Sequence, residues 1–164
     1  MHAAHQLLGF WMRDAGLQVS IDAIGNLIGR LEGQHPKTLL IGSHIDTVPN
    51  AGRYDGVLGV MIGIALAKAI SASGRTPPFS LEVIAFSEEE GVRFATPFLG
   101  SRAVVGTFSP DLLEKKDQAG ISLERAIRDF GLEPEGIALA AYEQQDLLGY
   151  LEVHIEQEIG RAHV

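Results

Sequence analysis

The chain contains no cysteine. Disulfide scaffolds, thiolate metal sites and cysteine nucleophiles are therefore excluded, and any metal ion must be held by histidine and carboxylate. Basic residues are scarce as well: 13 Lys+Arg stand against 21 Asp+Glu, a formal net charge of -8. Nucleic-acid backbones and anionic membranes recruit basic faces, so neither is expected as the main partner. Long apolar runs are missing too. The longest, VLGVMIGIALAKAI over residues 57–70, is interrupted by Lys68 and falls short of the roughly 20 residues a bilayer requires. The first residues, Met1-His2-Ala3-Ala4-His5, show no basic segment followed by an apolar one, so a cytoplasmic protein is expected. What remains, 46% hydrophobic and 21% charged over 164 residues, is the composition of one globular domain or a little more.

Periodicity then divides the chain. Residues 2–15 have helical spacing, with Leu7, Leu8, Trp11 and Met12 on one stripe and Gly16 as the stop. Residues 17–21 alternate like a strand, and 26–31 make a second short one. The run Thr38-Leu39-Leu40-Ile41-Gly42 reads as a strand buried on both faces. A loop over 43–56 leads into the apolar segment 57–70, expected to be a helix buried on most sides, and 79–86 is the next strand. Strand, loop, helix and strand in this order predict a right-handed crossover and a largely parallel sheet. Residues 109–148 look helical with loops between, Ser109 and Ser122 both resembling N-cap hydroxyls. Residues 150–155 close the pattern as a strand. The expected class is α/β: a three-layer domain around a largely parallel mixed sheet.

Chemistry-bearing residues collect at the carboxyl ends of three expected strands, the edge where open α/β sheets gather ligands. The clusters are Gly42-Ser43-His44-Ile45-Asp46 with Tyr54-Asp55-Gly56, then Ser87-Glu88-Glu89-Glu90-Gly91, then Val153-His154-Ile155-Glu156-Gln157. Each has a plain reading by itself. A histidine after a strand is usually a loop residue, an Asp-Gly pair is usually a turn, and three glutamates are usually a solvated bend. Together they say more. Three carboxylates following one apolar strand repel each other unless a cation is near, and histidine with carboxylate is a donor set that suits zinc. His44 and Asp46 stand two apart, so Asp46 could hold the second ring nitrogen of a ligating His44.

The segments GSHIDTVPNAGRYDGVLGV, FSEEEGVRF and EVHIEQ resemble the dinuclear-metal amidohydrolases of the M20 peptidase superfamily. The EEG-x-RF and HIEQ signatures favour the hydantoinase/carbamoylase branch: N-carbamoyl-L-amino acid hydrolases, β-ureidopropionase and allantoate amidohydrolase. By that resemblance His44 looks like a ligand of one metal, Asp55 like the carboxylate bridging two, and His154 like the ligand that completes the His44 ion. Glu90 looks like a ligand of the second metal, Glu89 like the general base, and Gln157 like a substrate-contacting amide. Glu88 has no role by this analogy and reads as solvated or N-capping. Two divalent ions are implied, Zn or Mn, with Ni or Co as further members of the same donor preference. The implied partner is a small carbamoyl or ureido substrate, and the implied full-length parent is a homodimer.

The resemblance also carries expectations about extent. Relatives are roughly 400 residues long, with a smaller lid and dimerisation domain interrupting the catalytic one. Residues 1–157 match the first part of that catalytic domain, which implies an N-terminal fragment. Residues 158–164 (EIGRAHV) depart from the Gly-Pro and apolar strand expected there, and one codon reading of them contains a common sequencing-library adapter. An artefactual tail is expected, and His163 is set aside as a ligand. Two rival readings stand beside the carbamoylase one: an M20 aminoacylase or dipeptidase, and a non-catalytic α/β domain.

Overall fold

The structure, a computed structural model, describes residues 2–155. Within them run α1 (His2–Asp14), β1 (Gln18–Ile21), β2 (Leu27–Leu31), β3 (Thr38–His44), α2 (Val57–Ala72), β4 (Ser80–Phe86), α3 (Leu99–Val104), α4 (Leu123–Asp129) and β5 (Leu147–Glu152). Short 3-10 turns at Pro110–Glu114, Pro134–Ala140 and Gln144–Asp146 fill the stretch around α4.

The five strands form one mixed sheet in the order β1-β2-β4-β3-β5. β4, β3 and β5 are parallel neighbours, while β1–β2 and β2–β4 pair antiparallel. The sheet is thus mixed, parallel on the side that carries the candidate site. β3 and β4 are adjacent and joined through α2, as the strand–helix–strand order predicts.

Side chains alternate across the strands and so sort into two cores. On one face Ile41, Leu81, Val83 and Ala85 pack with Leu8 and Met12 of α1 and Val60, Ile64 and Ala67 of α2. On the other, Leu40, Ile84 and Phe86 meet Val104 of α3. Beyond α3 a further cluster joins Leu99, Ala103, Leu123, Ile127 and Ile137. Helices on both faces of one sheet give the expected three layers. No helix among the described residues is long and apolar enough to cross a membrane.

Several local expectations shift. In α1 the buried line is His5, Leu8 and Met12, whereas Leu7 is exposed, because the stripe points at β1 and β2 rather than toward Leu7. α2 buries one side only: Ile62 and Leu66 are exposed, since no described element covers them. The last strand is Leu147–Glu152, set by its pairing with β3 through Gly42↔Glu152, so His154 lies beyond its end. In 109–148 a single regular α-helix forms, and only one of the two serines caps. Ser122 Oγ accepts from the Arg125 N–H at 3.1 Å, whereas Ser109 turns to the Asp111 carboxylate. α3 is a six-residue helix in a stretch to which the sequence pattern assigns no element. Gln157 and residues 158–164 lie outside the described residues.

Candidate metal centre

β3 ends on His44, directly beside Phe86 at the end of β4, so the loops leaving both strands begin at one place. His44 is 1% exposed. Its Nδ1 sits 2.7 Å from the carbonyl oxygen of Asp46. A carbonyl only accepts, so Nδ1 carries a proton, and the ring turns Nε2 outward. His154, just past β5, repeats the arrangement: its Nδ1 lies 2.6 Å from the carbonyl of Ile155. The two Nε2 atoms face each other at 3.0 Å. Asp55 Oδ1 is 3.6 Å from the first and 3.7 Å from the second.

Two ring nitrogens and a carboxylate oxygen thus converge on one point, a group of donors that could hold a metal ion. A tetrahedral ion with bonds of about 2.0–2.1 Å sets its ligand atoms roughly 3.4 Å apart. The observed spacings of 3.0, 3.6 and 3.7 Å bracket that value. The donor set fits a divalent ion.

Asp55 reaches the site because Gly56 turns the chain into α2 with φ at 65°. A Cβ at Gly56 would stand 2.5 Å from His44 Cε1, Nδ1 and carbonyl oxygen alike. Only glycine satisfies both the left-handed backbone and the contact. The Asp-Gly pair is therefore more than a turn: one residue supplies a buried carboxylate and the next makes room for the ring it meets.

The glutamate triplet closes the opposite side. His44, Glu89 and Glu90 offer ligand atoms within 4.8 Å of one another, as do His44, Asp55 and His154, so His44 is common to both groups. Glu89 Oε2 is 3.9 Å from His44 Nε2. Burial pushes the Glu89 carboxyl above its ordinary pKa, the neighbouring Glu90 and Asp46 carboxylates add to the rise, and His44 opposes it. Asp46 does support His44, but through its main-chain carbonyl. Its carboxylate instead accepts the backbone N–H groups of Glu89 (3.0 Å) and Glu90 (3.1 Å).

Glu88 is neither solvated nor an N-cap. It is partly buried, with φ at 54°, and burial beside Asp46 raises its carboxyl while Arg93 opposes. The first N–H groups of α3 are met by main-chain carbonyls, so no capping side chain is required there. A cleft of about 480 Å³ reaches Glu89 and Glu152, with Phe86, Phe98, Val104, Leu147 and Tyr150 among its walls.

Comparison with known proteins gives this site its context. The family model for "Peptidase family M28" matches residues 26–129. An N-carbamoyl-L-amino acid amidohydrolase of Geobacillus stearothermophilus is 44% identical over 156 residues, 94% of this chain and 38% of that protein. An allantoate deiminase of Arabidopsis thaliana is 43% identical over 157 residues, 92% of this chain and 30% of that protein. A hydantoinase/carbamoylase family amidase from Burkholderia ambifaria superimposes with a TM-score of 0.83 at 37% identity, over 93% of this chain and 37% of that one. The chain spans about a third of the length of these relatives. The resemblance drawn from the motifs carries the M20 label and the matching model the M28 label; the relatives are the branch those motifs specify.

Proposed function

From the premise that the chain belongs to peptidase family M28, with hydantoinase/carbamoylase amidohydrolases among its relatives, we propose that the protein it forms part of hydrolyses a non-peptide C–N bond. The substrate class is an N-carbamoyl amino acid or a ureido compound such as allantoate. One observation carries the chemistry: the Nε2 atoms of His44 and His154 and the Asp55 carboxylate converge on one point, each ring's Nδ1 being turned to a main-chain carbonyl.

In this reading His44, Asp55 and His154 hold one divalent ion, and Asp55 with Glu90 serves a second. Such ions polarise a carbonyl and acidify a water, the two things amide hydrolysis at neutral pH requires. Glu89 is the general base. Its raised pKa moves it toward the operating pH, where a carboxylate both takes a proton and gives it back. It removes the proton of the attacking water and delivers it to the leaving nitrogen as the C–N bond breaks. Asp46 fixes the N–H groups of Glu89 and Glu90, which keeps both carboxylates facing His44. Gln157 contacts substrate, and the cleft beside Glu89 has the size of a small-molecule site. The family model's own description favours a second reading, a peptidase or aminoacylase using the same ions on a peptide or acyl group.

The experiment is made in the full-length protein. Glu89→Gln should leave metal content intact and lower turnover by roughly two to four orders of magnitude, the usual share of acid–base catalysis. Glu90→Gln should lower metal content by elemental analysis. Swapped phenotypes overturn the assignment within the triplet. A panel of N-carbamoyl amino acids, allantoate, N-acetyl amino acids and dipeptides separates the two substrate readings.

A further inference from the structure

Asn26 has no accessible surface, yet it is polar, lies directly before β2 and belongs to neither candidate ligand group. Its amide joins three separate segments. Nδ2 donates to Asp22 Oδ2 at 2.7 Å and to the carbonyl of Gly100 at 3.0 Å, and Oδ1 accepts the N–H of Ser87 at 3.0 Å. Asp22 returns the hold, its Oδ1 accepting the N–H of Asn26 at 2.8 Å. The orientation of the amide follows without ambiguity, since the carbonyl of Gly100 requires a donor and the N–H of Ser87 an acceptor. An apolar residue here would leave those groups buried and unpaired.

What the amide joins matters more than the count of bonds. Ser87 is the residue before the glutamate triplet, and Gly100 lies in the first turn of α3. Between them the chain is stitched: the N–H groups of Phe98, Leu99 and Gly100 donate to the carbonyls of Glu89, Glu88 and Ser87 at 2.9, 3.1 and 3.1 Å. The gap is closed to any side chain on α3. A Cβ at Gly100 would stand 2.2 Å from Asn26 Oδ1 and 2.6 Å from the Ser87 carbonyl. The triplet is therefore held at its root by Asn26, along its length by α3, and at its tip by Asp46, with the left-handed Glu88 as the bend between.

We propose that Asn26 is a positioning residue of the site: its amide sets where Glu89 and Glu90 stand relative to His44 while touching no reacting group. The inference rests on the roles proposed above for those glutamates. Ala at position 26 would free Ser87 and let the triplet's backbone drift, and a displacement near 1 Å costs on the order of 100-fold in rate. The sheet core, sealed by other contacts, would stay.

The test compares full-length wild type with Asn26→Ala and with Gly100→Ala, which intrudes on the same amide from the other side. Three readouts are taken: peptide-level amide exchange, Co(II) absorption, and turnover of N-carbamoyl-L-amino acids. Exchange should rise on the order of tenfold in peptides covering 87–90, with those covering β3 and β4 unchanged. kcat should fall on the order of 100-fold with KM within about threefold. The absorption of Co(II) held by His44, Asp55 and His154 should persist. Unchanged exchange at 87–90, or a rise spread equally over β3 and β4, overturns the proposal. Should alanine fail to fold, Asp22→Asn keeps the Oδ1 acceptor for the backbone and removes only the oxygen that takes the Asn26 amide, and a smaller rise confined to 87–90 is expected. A wild type that neither binds Co(II) nor turns over would defeat the functional reading, and the exchange pattern would still judge Asn26.

Discussion

The two histidines that face each other at 3.0 Å are held by opposite means. His44 is the last residue of a strand flanked on both sides, and it is 1% exposed. Around it stand the buried Asp55, the constrained Gly56, and an acidic loop tied to both Asp46 and Asn26. His154 follows β5, the last strand in the sheet order, and its side chain is 34% exposed. Half of the centre is thus built into the core, and half is more exposed among the described residues. Preorganisation of this kind lowers the ordering cost on one side only.

The largest expected effect separates the halves directly. His44 belongs to both candidate ligand groups and His154 to one. His44→Ala should therefore remove all tight divalent-metal binding, a larger loss than the roughly 10–100-fold that follows removal of an outer hydrogen-bond partner. His154→Ala should spare weaker binding at His44, Asp55 and Glu90. Titration of the two variants with Zn or Mn, read by elemental analysis, checks the order. Equal residual binding would erase the distinction drawn here.

A smaller effect probes the built-in half. Gly56→Ala sets a Cβ against the His44 ring from a left-handed backbone, and should destabilise the fold by about 1–3 kcal/mol while weakening metal binding. Thermal unfolding with and without added metal measures both. A variant as stable as wild type with unaltered affinity would show that the ring has room to move.

The smallest effect uses a third histidine as contrast. His5 in α1 is nearly as buried as His44 but has no hydrogen-bond partner among the described residues on either ring nitrogen, and it packs edge-on against Phe130. Burial holds its pKa below the ordinary 6.5. The folded state therefore keeps it neutral while the unfolded chain takes up a proton as pH falls through 6.5. Its contribution is present above that pH and lost progressively below it, down to the folded-state pKa. Unfolding measured at about pH 7.5 and about pH 5.5 should show the loss, and His5→Leu should reduce it. An unchanged slope in His5→Leu would place the effect elsewhere.

How much of this was legible in the sequence depended on the range of the causes. Four strand positions and the three acidic and histidine clusters could be read because each is a local pattern: an apolar run followed at once by ionisable residues. α3 could not, since Phe98 and Gly100 flank Leu99 and look like loop residues, and six residues give too little period. β5 was read late because LLGYLE lacks clean alternation; its place is set by pairing with β3, about a hundred residues away in the chain. Asn26 gave no signal at all. It reads only as the first residue of the second strand, and the partners that define it are 61 and 74 positions distant.

Asp46 carries a consequence of a thermodynamic kind. Its main-chain carbonyl orders the His44 ring while its carboxylate orders the backbone of Glu89 and Glu90. An ion that steadies His44 must then steady the acidic loop through the same residue, and by linkage a steadied loop returns the same factor in affinity to the ion. The two ions of a full centre would not load as independent events. Beside the direct link through the shared Asp55, their stepwise binding constants would contain a coupling through Asp46, one that Asp46→Asn would weaken at the acidic loop.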